Sequence, residues 1–357
     1  MKIAQVAPLF EPVPPGLYGG TERVVSFLTE ELVRQGHDVT LFASGDSVTN
    51  ARLIATTPRA LRGTPDYADS IAFQLLHLQS VVDRSAEFDL IHYHVDFLHF
   101  PLSRLARTPH VTTLHGRLDL APLQHVYAEF SDMPVISISL DQRRPLSGLA
   151  KWVGNVYHGL PTSFGGVPGG DGGYLAFLGR VSREKRVDRA IEIAERCGLP
   201  LRVAAKIDPA DRPYYDDVIE PLLRKEHVEF VGEIGGPRKE EFLRNARALL
   251  FPIDWPEPFG LVMIEAMACG TPVIAFPNGS VPEVIEHGKT GFLASSVDEA
   301  VEAVGRLGAL DRTVIRAEFE KRFSAQRMAR EYVRIYESTL RGEPRARQAG
   351  RLAPLAS

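Results

Sequence analysis

Two glutamates frame the densest signal in the chain, EPFGLVMIEA, which runs from Glu257 to Ala266 and contains Glu265. Pro256 and Pro258 bar a helix before Phe259, Gly260 opens one, Gly270 ends it, and TPVIAF follows as a strand. Five helical residues advance about 7.5 Å, so the two carboxylates flank a helix start at roughly the length of a nucleotide's sugar and phosphate. N–H groups near Phe259, Gly260 and Leu261 favour an anion or sugar hydroxyls between them. A lone pair of this kind would read as a helix-terminal charge and an exposed glutamate; the rigid WPEPFG turn is what argues for a ligand.

A second signal is LGRVSREKRVD, residues 178 to 188, placed directly after a strand. Arg180 and Lys185 suit a diphosphate, the guanidinium through bidentate hydrogen bonds and the ammonium as a compact charge. Arg183, Glu184 and Arg186 are read as a solvated charge run. Gly19 and Gly20 precede a helix, where backbone can approach a phosphate closely, although no GxGxxG is present. Asp46, after the second strand, imitates the ribose-binding acid of a dinucleotide fold and keeps an oxidoreductase reading open. His92 and His94 share one strand face as a possible metal pair. No carboxylate or thiol completes that site at a familiar spacing, so these and His99 are read as core or cleft histidines. His115 ends a strand on the ligand side and suits a polar contact to a sugar. NGSVPEV (278 to 284) and GKTGFL (288 to 293) read equally as closing loops or plain turns.

The elements that position these residues follow one pattern. Apolar runs of strand length alternate with amphipathic runs of helix length, twice over, which specifies parallel sheets wrapped by helices. Strands are expected at Ile3 to Pro8, 38 to 43, Leu90 to His94, His110 to His115 and Val135 to Ser139, with helices over Glu22 to Gln35, capped by Thr21, and Asp69 to Asp83. After a Gly- and Pro-rich linker at 161 to 173, strands are expected at Tyr174 to Leu178, Leu201 to Ala205 and Val228 to Val231, with helices at Val187 to Cys197 and Ser324 to Leu340. Such sheets bind ligands beyond the carboxyl ends of their strands, and two of them facing each other make a cleft. Loops at 10 to 20, 44 to 66 and 116 to 130 are expected to shape the acceptor side.

Composition narrows the classes. The chain has 357 residues, 44% hydrophobic and 24% charged, which suits two soluble globular domains. The net charge of −4 hides no basic field, since residues 1 to 160 hold 13 basic and 16 acidic residues, so neither nucleic acid nor an anionic membrane is the expected main partner. Only the tail, with Arg341, Arg345, Arg347 and Arg351, leans positive. No run of eighteen apolar residues exists, so no transmembrane segment is expected. Cys197 and Cys269 cannot build a disulfide framework, and a cytoplasmic location is expected.

Taken together, the early Gly-Gly, TLHG, GRVSREK and Glu257 followed at seven intervening residues by Glu265 resemble the retaining glycosyltransferases of the large family 4 type, which have the GT-B fold of two Rossmann-like doubly wound domains. The resemblance covers almost the whole chain. It implies an acceptor-side domain over 1–160 joined by a returning helix at 324–340 and a donor-binding domain over 161–323; the polar, Arg-rich tail at 341–357 is expected from its composition to be mobile. It implies a nucleotide diphosphate sugar of the UDP-hexose or GDP-mannose type, with Glu265 on the ribose. Glu257 and the Phe259, Gly260 and Leu261 amides would hold the hexose, and Arg180 and Lys185 the diphosphate. Gly19 and Gly20 would close over it, backbone near Ile234 would meet the base, and His115 would approach the sugar. The implied reaction is a metal-independent, retaining hexosyl transfer with no cofactor, to an unidentified acceptor for which a soluble molecule is preferred. His158 stands where many relatives carry Asn. A nucleotide-sugar epimerase of the same fold, a non-catalytic nucleotide-sugar binder and a nicotinamide dehydrogenase are the competing readings.

Overall fold

The computed structural model describes residues 1–342 apart from positions 18, 68 and 171; the expectation of a mobile tail therefore falls almost wholly outside the described residues. The chain divides into two compact units. One comprises Met1–Pro14, Thr21–Val156 and the chain from Ala329 onward; the other comprises Pro15–Gly20 and Tyr157–Met328.

The first unit is built on seven strands: β1 (Lys2–Val6), β2 (Asp38–Ala43), β3 (Arg52–Ala55), β4 (Leu90–Tyr93), β5 (His110–Thr113), β6 (Pro134–Ser137) and β7 (Lys151–Asn155). Their order is β3-β2-β1-β4-β5-β6-β7, and every neighbouring pair is parallel. Strands buried on both faces need near-continuous apolar sequence, and IAQV, VTLFA and LIHY answer that need. The order reverses between β1 and β4, which are in register Gln5 to His92. A crevice opens at such a switch point beyond the strand ends. The helix that follows β1 spans Gly20–Arg34. Thr21, expected as its cap, instead lies inside its first turn, because Gly20 already takes helical geometry.

The second unit carries β8 (Tyr174–Arg180), β9 (Leu201–Lys206), β10 (Val228–Phe230), β11 (Ala246–Phe251), β12 (Val273–Ala275) and β13 (Gly291–Leu293), in the order β10-β9-β8-β11-β12-β13 and again all parallel. Here the switch lies between β8 and β11. The helix Val187–Cys197 covers the sheet with Val187, Ala190, Ile191 and Ala194, all buried at the 3, 4 and 7 spacing of one helical stripe. It stops at Gly198, whose φ of 62° is the left-handed cap a side chain would resist.

Three local expectations change. The 116 to 130 stretch is not all loop: Ala121–Glu129 is a helix with a proline in its first turn, where the missing N–H is harmless, and Tyr127 is buried against Phe100 and Leu114. The 44 to 66 stretch contains β3, an edge strand too short to show periodicity. The 161 to 173 segment has no regular structure but is not a free linker. Gly165 passes so close to Ala268 that a Cβ would meet its carbonyl oxygen at 2.4 Å, and the Phe164 carbonyl accepts from Arg316.

The last described helix is Ala325–Arg341. From Ala329 it counts with the first unit, where Tyr332 and Tyr336, one turn apart, are fully buried.

Candidate active site

In the second unit the switch point sets the end of β8 beside the end of β11. Arg180 closes β8, and the chain leaving β11 runs directly into Trp255, Glu257 and Gly260. That loop is rigid for several reasons. Pro256 and Pro258 hold it extended. Gly260 sits at φ 76°, and a Cβ there would lie 2.8 Å from Met263 Cε. The turn at 278 to 280 braces it: Ser280 N–H donates to the Glu257 carbonyl (2.9 Å), Ser280 Oγ to the Phe259 carbonyl (2.9 Å) and Asn278 Nδ2 to the Ile253 carbonyl (2.8 Å). Gly279, at φ 63°, passes so close that a Cβ would fall 2.3 Å from Glu257 N. The NGS turn therefore carries the Glu257 loop.

Glu257, with its side chain 11% exposed, is ion-paired with Lys185 and accepts a hydrogen bond from the Trp255 indole N–H (3.0 Å), both on Oε2. The Lys185 ammonium also lies over the rings of Trp255 (5.2 Å) and Phe251 (5.4 Å). Cation, carboxylate and aromatic faces thus form one cluster. Arg180 faces three carboxylates at longer range, Asp211 at 3.4 Å, Asp208 at 3.5 Å and Glu184 at 3.7 Å. Glu265 points inward from the helix Leu261–Ala268 and is ion-paired with Lys239, both more than nine-tenths buried. Phe259 is buried with its ring 4.8 Å from that of His158.

The glycine loop belongs to the same unit. A Cβ on Gly235, next to Ile234, would stand 2.7 Å from the Gly16 carbonyl oxygen, and one on Gly20 would stand 3.6 Å from Leu261 Cδ1. Gly20 is thus brought to the start of the helix Leu261–Ala268, and the turn at Ile234 to the segment just before Gly20. The reading of Arg183, Glu184 and Arg186 as a merely solvated run does not hold. Arg186 bridges Asp188 (2.7 Å) and Asp254 (2.9 Å), Arg183 lies 5.0 Å over the Tyr214 ring, and the Glu184 carbonyl accepts from Asp254 N–H (2.8 Å). This run clamps the loop after β8 to the loop after β11.

His115 lies in the first unit just beyond β5. Its Nε2 is 2.9 Å from His94 Nδ1, and burial drives its imidazole down to about 3. His92 and His94 do share a face, with rings 4.0 Å apart, but their ring nitrogens bond to Tyr336, Thr113, Gln5 and His115. Among the described residues no cluster of three His, Cys, Asp or Glu side chains could hold a metal.

Both halves of the chain match sequence families. Residues 18–153 fit the model described as glycosyltransferase family 4, and residues 166–322 fit that described as glycosyl transferases group 1. The chain belongs to the family 4 type glycosyltransferases. An uncharacterised glycosyltransferase of Methanocaldococcus jannaschii is 24% identical over 392 aligned positions, spanning 94% of this chain and 98% of that protein. Sucrose-phosphate synthase of Thermosynechococcus elongatus has the same fold with a TM-score of 0.75 at 20% identity, covering 95% of this chain and 98% of its own. So does an Anabaena protein solved with UDP and glucose, with a TM-score of 0.73 at 20% identity, covering 95% of this chain and all of that one. The fold is GT-B.

Within each unit, residues beside the expected site residues escape sequence reasoning. Lys239 sits in a charged stretch that reads as solvent-facing. Asp208 and Asp211 carry no motif. Asp96, after β4, adopts φ 50°, a strained value for a non-glycine residue, and accepts the His115 backbone N–H, while burial lifts its carboxyl to about 6. A left-handed aspartate leaves no trace in a single sequence. Among the described residues no helix is long and apolar enough to cross a membrane.

Proposed function

We propose that this glycosyltransferase moves a hexose from a nucleoside diphosphate sugar to an acceptor hydroxyl, with retention at the anomeric carbon and without a metal ion. The observation that carries the reading is the Lys185–Glu257–Trp255 cluster fixed at the start of the helix Leu261–Ala268. Glu257 and the Phe259, Gly260 and Leu261 amides take the hexose, Glu265 the ribose hydroxyls, and backbone at Ile234 the base. Lys185 and Arg180 meet the diphosphate, while Gly19 and Gly20 lie over it. Arg180 would exchange its long carboxylate contacts for phosphate oxygens, which accept a bidentate guanidinium better. His115 meets a sugar hydroxyl.

Breaking the anomeric bond leaves growing negative charge on the departing diphosphate, and two fixed cations stabilise it as a metal would. The route taken is front-face attack assisted by the leaving phosphate, with a covalent glycosyl-enzyme on Glu257 as the competing one; Lys185 and Trp255 both contact the same oxygen of Glu257. The neighbour solved with UDP and glucose favours a uridine donor. The acceptor is taken as soluble and the location as cytoplasmic.

A thermal-shift panel of nucleoside diphosphates and their sugars tests the donor. A ligand at a hundred times its Kd stabilises by about 2.7 kcal/mol. The selected sugar nucleotide should then be hydrolysed slowly with chelator present, releasing first the anomer of unchanged configuration. Inverted product, loss of turnover with chelator, sugar interconversion without acceptor, or a trapped adduct on Glu257 would each overturn the corresponding part.

A further inference from the structure

Each nitrogen of the Arg180 guanidinium faces a different carboxylate: Nε faces Asp211 at 3.4 Å, one terminal nitrogen faces Asp208 at 3.5 Å and the other faces Glu184 at 3.7 Å. All three distances exceed the range of about 2.7 to 3.2 Å for a formed N–H···O hydrogen bond, so the cation is drawn toward three anions and tightly bonded to none of them.

The local sequence explains the arrangement. Arg180 and Lys206 end neighbouring strands in register, and the chain leaving Lys206 makes one 3₁₀ turn at Pro209–Asp211, with the Asp211 N–H donating to the Asp208 carbonyl at 2.9 Å. Side chains three residues apart eclipse one another in that geometry, which aims Asp208 and Asp211 at the same guanidinium. Asp208 is held on its other oxygen by Lys206, whose ammonium lies 3.0 Å from Oδ1 while Arg180 faces Oδ2. The Arg180 side chain stays 31% exposed, so a ligand can reach it.

Counted with Lys206 and the Lys185–Glu257 pair, three cations here face four carboxylates. A surface that had only to hold a diphosphate tightly would not surround its arginine in this way, because the acids repel the incoming anion. The product poses the harder problem. Once the anomeric bond is broken, the diphosphate has a free terminal phosphate and gains roughly one negative charge, so fixed cations hold it more strongly than they held the donor.

We propose that Asp208 and Asp211 are positioning residues that compete with the diphosphate for Arg180: they yield the guanidinium when the donor enters and take it back after transfer, which speeds product release. This rests on the role given to Arg180 above and adds the step that closes the cycle.

The test compares the full-length protein with Asp208→Asn, Asp211→Asn and the double variant, which keep the side-chain shape and remove the charge. Calorimetric titration with UDP and, separately, with inorganic pyrophosphate reads affinity, and stopped-flow displacement reads dissociation. Each single substitution should tighten UDP binding roughly tenfold, the scale of one charge–charge interaction near a protein surface, mainly through slower dissociation. Product inhibition by UDP should strengthen in step. In an Arg180→Ala background most of the gain should disappear. If one single variant does not fold, the other carries the comparison.

Unchanged affinity would overturn the competition, and weaker binding would overturn it by showing that the carboxylates brace Arg180 for the ligand. A gain of full size without Arg180 would also overturn it, since the acids would then act on the ligand directly. Pyrophosphate carries neither base nor sugar, so a donor with another base would show as poor UDP binding with the pyrophosphate gain intact. No binding of pyrophosphate by the parent or any variant would remove Arg180 from the diphosphate, and the proposal with it.

Discussion

At Lys185 a single ammonium group faces two demands, since it pairs with Glu257 and is proposed to meet the diphosphate. Arg180→Ala removes one preorganised donor and should lower turnover about a hundredfold or more, corresponding to roughly 2.7 to 4 kcal/mol. Lys185→Ala should fall further because it also leaves the Glu257 carboxylate without its counter-charge, and steady-state kinetics with the selected donor would show the difference. Equal, small losses would remove both residues from the mechanism. Lys239 invites a different measurement. Breaking a buried pair by removing one partner strands the other charge, so Lys239→Ala should lower unfolding stability by about 3–5 kcal/mol in denaturant titrations. Adding Glu265→Gln should return part of that loss. A single variant as stable as the parent would mean that Glu265 is solvated after all.

The glycine at 279 shows what an element contributes beyond its own residues. Its turn is remote in sequence from Glu257, yet it touches the Glu257 backbone more closely than any side chain could allow. Gly279→Ala should push that loop outward and reduce transfer by roughly a hundredfold, as displacements of about 1 Å do at other catalytic centres, while the melting temperature moves by only a few degrees. Unchanged kinetics would mean that the loop can shift without loss. The same turn marks where sequence reading stops. The strand and helix cycle, Gly260 opening its helix and the rigidity of the EPFG turn were legible because apolar period, proline and glycine act locally. The turn at 278–280 was legible only as a turn, because its role comes from a partner more than twenty residues away. Lys239 and Asp208 were hidden for a related reason: burial of a charged side chain depends on what packs over it. The Ala121–Glu129 helix was lost because its weak apolar stripe resembles an ordinary loop.

Across the whole molecule, buried ionisable groups set opposing dependences on pH. His77, held near 4 by burial, and His115, near 3, are neutral when folded, whereas an unfolded chain protonates them below about 6.5. Their contribution to stability is complete above that pH and is lost as pH falls toward 3 to 4. Glu22 acts the other way: burial, aided by the nearby Glu11 carboxylate, raises it from 4.5 to about 7. Its contribution is complete below 4.5 and is lost as pH rises through 7. Glu22→Gln should therefore raise the melting temperature at pH 8 and leave it nearly unchanged at pH 4.5; the reverse pattern would show that Glu22 is ionised when folded. The helix Ala325–Arg341 carries a last consequence. Tyr332 and Tyr336 reach the first sheet only after the entire second unit has been synthesised, so on the ribosome Gln5 and His92 wait for partners some 240 to 330 residues downstream. A nascent chain ending at Val156 would expose an unfinished polar interior, and the first half of this enzyme should remain a client of chaperones until translation is nearly complete.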